Sequence, residues 1–304
     1  MKAFILVICL LFSSALSDTQ NEDFLSKTSD VQLDMDLPTI RPDAQRHPMR
    51  IEGHRGAGDL EAENTERAFK RAIELGIDGV EIDVWLTKDQ VPVVVHGSLS
   101  GKADFEDGRQ KIGLVTFEEL KRLRLQNGER ILSLAEVLDL CRDKISTNIE
   151  FKEPNEAVIE IVLPLIKERN MFEQVRFSAF HHYMRKKLIS ELEKLDVKVP
   201  VSFGFLSNVY APRFPAVEDT VPGDAINVDV RYLRSKREEC VEEIKKAHEN
   251  SLKVIVWYPL YYIERSKHYD DFAELGVDTI ITNNPMKLIE YFKKIKNNTK
   301  PVGV

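Results

Sequence analysis

The pentapeptide ELGID, residues 74–78, recurs near the other end of the chain as ELGVD, residues 274–278. Each copy follows an amphipathic stretch and precedes a short apolar run, which begins at Gly79 in the first case and at Thr279 in the second. The glycine in each copy is typical of a residue that ends a helix, because glycine adopts the left-handed conformation without steric cost. The sequence therefore predicts the same helix-to-strand joint early and late in the chain, as in a fold that repeats one unit.

Around these two joints, short apolar runs alternate with longer amphipathic stretches. Strand–helix alternation over this length predicts a (β/α)8 barrel of the TIM type, with a small insertion at about 97–130, after the second barrel strand. A doubly wound open sheet is the alternative, but no GxGxxG motif follows the first strand. The predicted strands are 50–53, 79–86, 92–96, 145–150, 175–178, 199–203, 225–228, 254–257 and 279–282. The predicted helices are 63–75, 134–141, 155–169, 181–195, 236–250, 269–275 and 286–296.

The amino-acid composition of the chain excludes several classes of protein. The 304 residues are 43% hydrophobic and 31% charged, with a formal net charge of −7, which excludes a disordered chain, a collagen-like repeat and a small disulfide scaffold. An acidic chain also lacks the basic field that non-specific nucleic-acid binding needs, so no nucleic-acid partner is expected. An anionic substrate would need a local exception, either a metal ion or a small basic cluster. Cys141 and Cys240 are compatible with two buried thiols or with a disulfide.

The first 17 residues have the pattern of a secretory signal peptide, with Lys2, an apolar run and a small-residue cleavage site. We therefore expect a secreted chain, or one in the lumen of the secretory pathway. Residues 18–48 are polar and predict a flexible leader, the barrel is expected at 49–296, and 297–304 form a C-terminal tail. No other segment approaches 18 uncharged apolar residues, so no stable membrane insertion is expected.

Two carboxylates lie two residues apart in a predicted strand. Glu81 and Asp83 therefore project from the same face, while Ile82 between them projects from the other. Two carboxylates in one row repel each other and lose hydration, and a hard divalent cation such as Mg²⁺ or Ca²⁺ relieves both costs. Glu150 ends a strand of its own and is a candidate third ligand. Three salt-bridged carboxylates at strand ends are the alternative, but the nearby histidines favour a metal site.

His54 and His96 each end an apolar run, and the carboxyl ends of barrel strands form the active-site face. Their imidazoles are candidates for acid and base catalysis, since the pKa of imidazole lies near neutral pH. Arg55 and Lys152 are candidate phosphate contacts, although Arg55 is equally compatible with a structural ion pair. Trp257, which ends a late strand, is a candidate wall for the substrate or a stacking partner for a choline-like cation.

Several short motifs follow one another along residues 50–295. They are His54-Arg55-Gly56, Glu63-Asn64-Thr65, Glu81-Ile82-Asp83-Val84, Thr87-Lys88-Asp89, Pro92-Val93-Val94-Val95-His96, Ile149-Glu150-Phe151-Lys152 and Thr282-Asn283-Asn284-Pro285, with TFEEL at 116–120 and ILSLAEVL at 131–138. Together, their order and spacing resemble the glycerophosphodiester phosphodiesterase family. One departure stands out: the family usually has Asp after the second histidine, where this chain has Gly97.

The resemblance implies a TIM-type barrel with one divalent cation, Mg²⁺ or Ca²⁺, on Glu81, Asp83 and Glu150. It also implies acid and base roles for the two histidines and a phosphate contact by Lys152. The implied reaction is the metal-dependent hydrolysis of a small glycerophosphodiester to glycerol 3-phosphate and an alcohol. In the family, the glycerol hydroxyl next to the phosphoester acts as an internal nucleophile and gives a cyclic phosphate.

Two other functions stay open at this point. The chain is more distantly similar to phospholipase D toxins that use this barrel on sphingomyelin or lysophospholipid. A barrel that binds a phosphorylated ligand without turnover is the other alternative, and Gly97 is the residue that favours it. The insertion is expected to cover the site and to shape the pocket for the leaving group.

Overall fold

The computed structural model describes residues 49–98, 100–199, 201–207, 213–218, 220–259 and 262–298. The predicted signal peptide and leader lie outside these residues, as do residues 299–304 of the predicted tail. Within the described part of the chain, no helix has the length and apolar character needed to cross a membrane.

Eight parallel strands close into a barrel. The chain's strands are β1 (Arg50–Gly53), β2 (Gly79–Leu86), β3 (Pro92–Val94), β4 (Lys102–Phe105), β5 (Gly108–Lys111), β6 (Leu132–Ser133), β7 (Ser146–Phe151), β8 (Val175–Ala179), β9 (Phe203–Leu206), β10 (Ala225–Asp229), β11 (Lys253–Trp257) and β12 (Thr279–Thr282). The barrel order is β1, β2, β7, β8, β9, β10, β11 and β12, and β12 pairs with β1 to close the ring. This arrangement confirms the predicted (β/α)8 barrel.

Helices follow most of the barrel strands and pack outside the ring; among the described residues, no helix lies between β9 and β10. The helices are α1 (Glu66–Leu75), α2 (Phe117–Leu120), α3 (Leu134–Cys141), α4 (Ala157–Glu168), α5 (Met184–Lys194), α6 (Val230–Ser235), α7 (Arg237–Glu249), α8 (Ser266–Leu275) and α9 (Pro285–Asn298). The two repeated joints are confirmed, because Gly76 and Gly276 end α1 and α8 with φ of 68° and 77°. The thiols of Cys141 in α3 and Cys240 in α7 are free and buried, which settles the alternative against a disulfide.

Several element boundaries differ from the predictions, and some short elements were not predicted. The first helix begins at Glu66, because the Thr65 side chain accepts a hydrogen bond from the Ala68 amide and fixes the helix start there. Strand β9 begins at Phe203, four residues after the predicted start at 199. Phe203 and Phe205 pack in the main core, and this alternation sets the strand. Helix α6, at Val230–Ser235, was not predicted.

The insertion has a small core of its own. It contains the hairpin β4–β5 and helix α2, and β3 and β6 extend the sheet from the edge of β2. The buried residues of this second core are Trp85, Val93, Val95, Ala103, Phe105, Ile112, Leu120 and Ile131. The insertion is therefore a folded appendage that packs against the upper end of β2.

Candidate active site

The three predicted metal ligands come together at the carboxyl end of the barrel. Strands β2 and β7 are paired in parallel, with Asp83 opposite Glu150 and Glu81 opposite Asn148. One carboxylate oxygen from each of Glu81, Asp83 and Glu150 lies within 4.8 Å of the others, and all three side chains are buried. The alternation of β2 produces this cluster, because Ile82 packs in the main core and its two acidic neighbours face the lumen.

The charges in this cluster fit a divalent cation. Burial and the neighbouring Asp83 and Glu150 raise the pKa of Glu81 well above its ordinary value. Burial also raises the pKa of Glu150. Among the described residues, Glu81 Oε1 has no hydrogen-bond partner, and Asp83 Oδ1 has an ion pair with Lys152 but no hydrogen bond. A buried carboxylate oxygen without a partner is costly, and oxygen-preferring cations such as Mg²⁺ and Ca²⁺ relieve that cost. These carboxylates are therefore suited to hold one.

Lys152 already supplies one positive charge to the cluster. Its ammonium contacts the Glu150 carboxylate and lies 3.2 Å from Asp83 Oδ1. Burial opposes the charge of Lys152, but Glu150 and Asp83 raise its pKa above the ordinary value. The same ammonium lies 5.3 Å from the ring centroid of Phe180. Burial also opposes ionisation of Asp83, but Lys152 and other neighbouring cations hold the pKa of Asp83 below its ordinary range.

Arg55 is both an ion-pair partner and a residue of the cavity. Its guanidinium lies 2.5 Å from Glu63 Oε2, and its Nε lies 3.4 Å from Asp83 Oδ2. Its backbone amide donates to Glu81 Oε2 at 3.1 Å. Both interpretations of Arg55, as a phosphate contact and as a structural ion pair, are therefore compatible with the geometry, since the ion-paired Arg55 also lines the cavity.

His54 lies directly beside the carboxylate cluster. Its Nδ1 is 2.5 Å from Asn283 Oδ1, and its Nε2 is 3.9 Å from Glu81 Oε2. Burial, reinforced by the positive charge of Arg55, lowers the pKa of His54 to about 3. The imidazole is therefore neutral near neutral pH, as a proton acceptor must be.

His96 follows β3 and enters the same cavity. Its carbonyl oxygen accepts a hydrogen bond of 2.9 Å from the Trp85 indole, which fixes the backbone at this point. Burial lowers the pKa of His96 to about 4, although Asp83 acts in the opposite direction. The next residue, Gly97, has a φ of 61°, in the left-handed region that favours glycine.

A cavity of about 540 Å³ contains both histidines and both cationic side chains. Its lining residues are His54, Arg55, Glu81, Trp85, His96, Gly97, Ser98, Asn148, Glu150, Phe151, Lys152, Ser178, Phe180, His181, Leu206, Asn227, Trp257, Pro259 and Ile281. The rings of Phe180 and Trp257 meet edge to face at 6.2 Å and form an aromatic wall. Asp83 lies behind the lining and is fully buried.

The insertion meets the cavity at its beginning, where Gly97 and Ser98 line the wall. That the rest of the insertion covers the site stays a prediction. The predicted helix at 181–195 begins only at Met184, so His181 precedes α5; it is exposed and also lines the cavity.

A family model described as the glycerophosphoryl diester phosphodiesterase family matches residues 54–287. The chain belongs to this family. A glycerophosphodiester phosphodiesterase of Caldanaerobacter subterraneus subsp. tengcongensis is 32% identical over 252 residues, which cover 79% of this chain and 96% of that relative.

Solved structures have the same fold as this family member. A candidate glycerophosphodiester phosphodiesterase from Galdieria sulphuraria has a TM-score of 0.68 and 29% identity, over 81% of this chain and 98% of that one. A phosphodiesterase from Oleispira antarctica, solved in complex with the product sn-glycerol-3-phosphate, has a TM-score of 0.62 and 19% identity, over 80% of this chain and 96% of that one. At 19% identity, the similarity to the Oleispira structure shows a shared fold and nothing more.

Sequence reasoning missed the amides of this phosphodiesterase site. Asn64 donates to Asp83 Oδ2 at 2.8 Å, and Asn283 holds His54. Both asparagines belong to motifs that resemble the family, so the motifs were a signal, but no pattern in the sequence assigns them a partner. Asn148 and Asn227 line the cavity and had no comparable signal, except that Asn148 lies two residues before Glu150.

Proposed function

We propose that this chain hydrolyses glycerophosphodiesters to glycerol 3-phosphate and an alcohol, with a divalent cation held by its buried carboxylates. The observation that carries this proposal is one cavity lined by the imidazoles of His54 and His96, by two cationic side chains and by two of the three clustered carboxylates. Membership of the family supports the choice of substrate. So does the product named for the Oleispira relative, although that likeness extends to the fold alone.

His54 acts as the base in this proposal. Its Nδ1 proton is donated to Asn283, so its Nε2 is free to accept a proton from the attacking hydroxyl. His96 gives a proton to the oxygen of the departing alcohol. General acid and base steps of this kind each contribute roughly 10²–10⁴-fold to the rate.

The reaction balances in two steps. The glycerol hydroxyl next to the phosphoester attacks phosphorus, its proton passes to His54, and the bond to the alcohol breaks as His96 protonates that oxygen. Water then opens the cyclic phosphate with the two proton transfers reversed. Both imidazoles return to their first protonation states, so no further reactant is needed.

Glu81, Asp83 and Glu150 would hold the cation, which would neutralise charge on the phosphate oxygens. Lys152 lies within contact of two of these carboxylates, and it would stabilise charge that develops on an equatorial oxygen. Arg55 would bind a second phosphate oxygen, held in place by its pair with Glu63.

A second candidate function is phospholipase D-like cleavage of lysophospholipid or sphingomyelin. The apolar part of the cavity wall favours it, because Phe180, Leu206, Trp257 and Ile281 provide a surface for an acyl chain or a choline group. Release of choline from glycerophosphocholine and from lysophosphatidylcholine, measured side by side, separates the two functions. Faster release from lysophosphatidylcholine would replace the first proposal with the second.

Chelation tests the role of the cation. Activity on glycerophosphocholine is expected to be lost in EDTA and restored by Mg²⁺ or Ca²⁺, and Glu81→Gln is expected to abolish ion binding in a calorimetric titration. Glu160→Gln, on the exposed face of α4, is the matched control and should titrate like the original chain. Full activity after rigorous chelation would contradict metal dependence.

Turnover itself needs a separate test, because a barrel that binds without reacting would also bind the ion. The rate of glycerol 3-phosphate formation should fall with His54→Ala and with His96→Ala. If glycerol 3-phosphate is not formed from any of a panel of glycerophosphodiesters, the chain is a binding protein instead.

We also infer that residues 1–17 direct the chain into the secretory pathway. The support is the three-part sequence pattern of these residues. Expression in a eukaryotic host with a C-terminal tag, followed by mass determination of the secreted chain, tests the inference. A new N-terminus at Asp18 is expected, and retention of Met1 in a cytosolic product would overturn it.

A further inference from the structure

Level with Glu81 and deeper in the barrel than Asp83 and Glu150, the lumen presents a second set of polar groups, which neither the motifs nor the proposed catalytic roles use. Asn148 on β7 and Asn227 on β10 both line the cavity, with exposed fractions of 2% and 0%. Within the described part of the chain, Asn148 Nδ2 and both amide atoms of Asn227 have no hydrogen-bond partner. Buried polar groups in folded proteins are almost always paired, so three unpaired amide atoms on one cavity point to a ligand.

The four neighbouring strands from β7 to β10 carry these residues, Asn148, Ser178, Gly204 and Asn227, which we call the floor of the cavity. Ser178 on β8 donates to Asn148 Oδ1 at 3.0 Å, which leaves the Asn148 amide nitrogen as a donor. Ser178 is opposite Gly204 on β9, which is opposite Ala225 on β10. A Cβ at Gly204 would lie 2.8 Å from Asn227 Nδ2 and 3.0 Å from Oδ1, so the absence of a side chain there makes room for the Asn227 amide.

The charge beneath the floor is balanced. Arg176 lies next to Asn227, because a Cβ built at Gly204 would also be 3.0 Å from Arg176 Nη1, an atom that has no hydrogen-bond partner among the described residues. Glu52 pairs with this guanidinium at 3.2 Å and 2.6 Å. The unpaired groups on these two lining residues are therefore two amide donors and one amide acceptor, and Glu52 offsets the charge of the neighbouring guanidinium. This set matches hydroxyl groups, which donate and accept, better than it matches an anion or an ammonium group.

The depth of the floor matches a short polyol. Asn148 lies two residues before Glu150 on β7, which is about 6.6 Å along a strand. Asn227 lies two residues before Asp229, the residue opposite Trp257. A phosphate at the level of Glu150 and Lys152 would thus place a three-carbon chain between Trp257 and the amides.

We propose that Asn148 and Asn227 form the subsite for the hydroxyl of the substrate's glycerol group that does not attack phosphorus, and that Gly204 keeps this subsite open. The inference rests on the proposed function and names the part of the substrate that the barrel recognises. Discrimination is expected to be substantial, because a ligand without hydroxyls leaves the buried amides unpaired.

Ligand binding tests the subsite without turnover. Glycerol 3-phosphate and propyl phosphate carry the same phosphate and differ in their hydroxyls. In calorimetric titrations with saturating Mg²⁺ or Ca²⁺, the original chain should bind glycerol 3-phosphate about 10-fold more tightly. Asn227→Leu should remove most of this preference and leave binding of propyl phosphate nearly unchanged. Thr279→Val removes another buried, unpaired hydroxyl of the barrel that does not line the cavity, and should keep the preference.

Several outcomes would overturn the inference. These are the absence of a preference in the original chain, a preference that Asn227→Leu retains, and equal weakening of both ligands. If Asn227→Leu fails to fold, Asn227→Asp keeps the shape, removes the donor and is held to the same expectation. Failure of the proposed function is distinguishable, since it is the absence of turnover in the original chain.

Kinetic measurements distinguish recognition of the glycerol group from recognition of the alcohol group. Asn227→Leu should lower kcat/KM by a similar factor for glycerophosphocholine and glycerophosphoethanolamine, which share the glycerol and differ in the alcohol. A loss confined to glycerophosphoinositol, with its hydroxyl-rich alcohol, would assign the amides to the leaving group and overturn the assignment to glycerol.

Discussion

The imidazole Nδ1 of His54 and the amide oxygen of Asn283 lie 2.5 Å apart, although 229 positions separate them in the chain. Asn283 Nδ2 donates to the carbonyl of Pro259 at 3.2 Å, which orients the amide so that its oxygen faces the imidazole. A carbonyl oxygen accepts a hydrogen bond, so Nδ1 of His54 carries the proton. The second nitrogen of His54, Nε2, is then the basic one, and it is the nitrogen that lies near Glu81.

A buried carboxylate fixes this amide in turn. Glu264 Oε1 accepts a 2.5 Å hydrogen bond from the Asn283 backbone, and its Oε2 accepts from Tyr269 and Thr282 at 2.7 Å each. These bonds join the end of β12 to the loop after β11. Because Gly53 of β1 is opposite Thr282, closure of the barrel places the whole network beside His54.

Replacement of Asn283 tests whether it acts through His54. Asn283→Ala should lower kcat by about 10- to 100-fold, since it removes part of a contribution that general bases make to the rate. Asn283→Asp should instead raise the pKa of His54, because a carboxylate stabilises the protonated imidazole. The pH profile of kcat/KM for Asn283→Asp should therefore lose activity at a higher pH on the acid side than the original chain.

Asn284→Ala is the matched control for this pair. Asn284 is the next amide in the chain, and its Oδ1 accepts from the Lys287 backbone in the first turn of α9. Its loss should lower stability by about 1 kcal/mol, as removal of a helix cap does, without a change in the pH profile. Identical pH profiles for Asn283→Asp and the original chain would show that Asn283 has a structural role alone.

The pH dependence of the original chain should be shifted to the acid side. Burial lowers the pKa of His54 to about 3, so this base stays neutral and active well below the ordinary imidazole value of 6.5. His96 must be protonated to act as the acid, and burial lowers its pKa to about 4. In the free enzyme, kcat/KM should therefore decrease as the pH rises, and the decrease should begin below pH 6.5. Measurements from pH 4 to 9 check this, and a plateau that extends beyond pH 7.5 would contradict it.

Lys152 has opposite effects on stability and on ion binding. Its ammonium neutralises Glu150 and Asp83 while no divalent ion does so. Lys152→Gln should lower the free energy of unfolding by about 3 kcal/mol without the ion, because it leaves buried carboxylates without their partner. The same variant should bind Mg²⁺ or Ca²⁺ more tightly, since a competing positive charge is gone. Turnover should fall, because the contact to phosphate is lost.

Thermal unfolding with and without the ion, together with calorimetric titration, measures all of these effects. Lys187→Gln is the matched control, because Lys187 also pairs with two glutamates but lies on α5, outside the cavity. Its Tm should gain no more from the ion than that of the original chain. Weaker ion binding by Lys152→Gln would contradict the assignment.

The sequence predicted the barrel and the carboxylate cluster because both depend on local patterns. A period of two places Glu81 and Asp83 on one face, and parallel pairing of buried strands places Glu150 beside them. The partner of His54 depends instead on closure of the ring between β1 and β12. No local pattern reports which residue of the last loop then meets the first strand.

The floor of the cavity was missed for a related physical reason. Asn227 lies among apolar residues in a strand, where periodicity assigns it to the sheet without a role. Its importance comes from Gly204, on the neighbouring strand, which leaves the space that the amide occupies. Such a relationship between the side-chain volumes of two strands follows from register, which the sequence alone did not supply.

Gly97 departs from the family pattern, and its replacement measures what the departure costs. At Gly97 a Cβ would lie 3.3 Å from the carbonyl of Lys102, so a side chain fits after a small shift. Its φ of 61° is a conformation that aspartate tolerates better than most residues. Gly97→Asp should place a carboxylate next to His96, raise the pKa of that imidazole and extend activity to higher pH. Gly97→Ala also introduces a Cβ at this positive φ, but without the charge, and should keep the original pH profile. If the two variants have the same profile, the residue at this position does not tune His96.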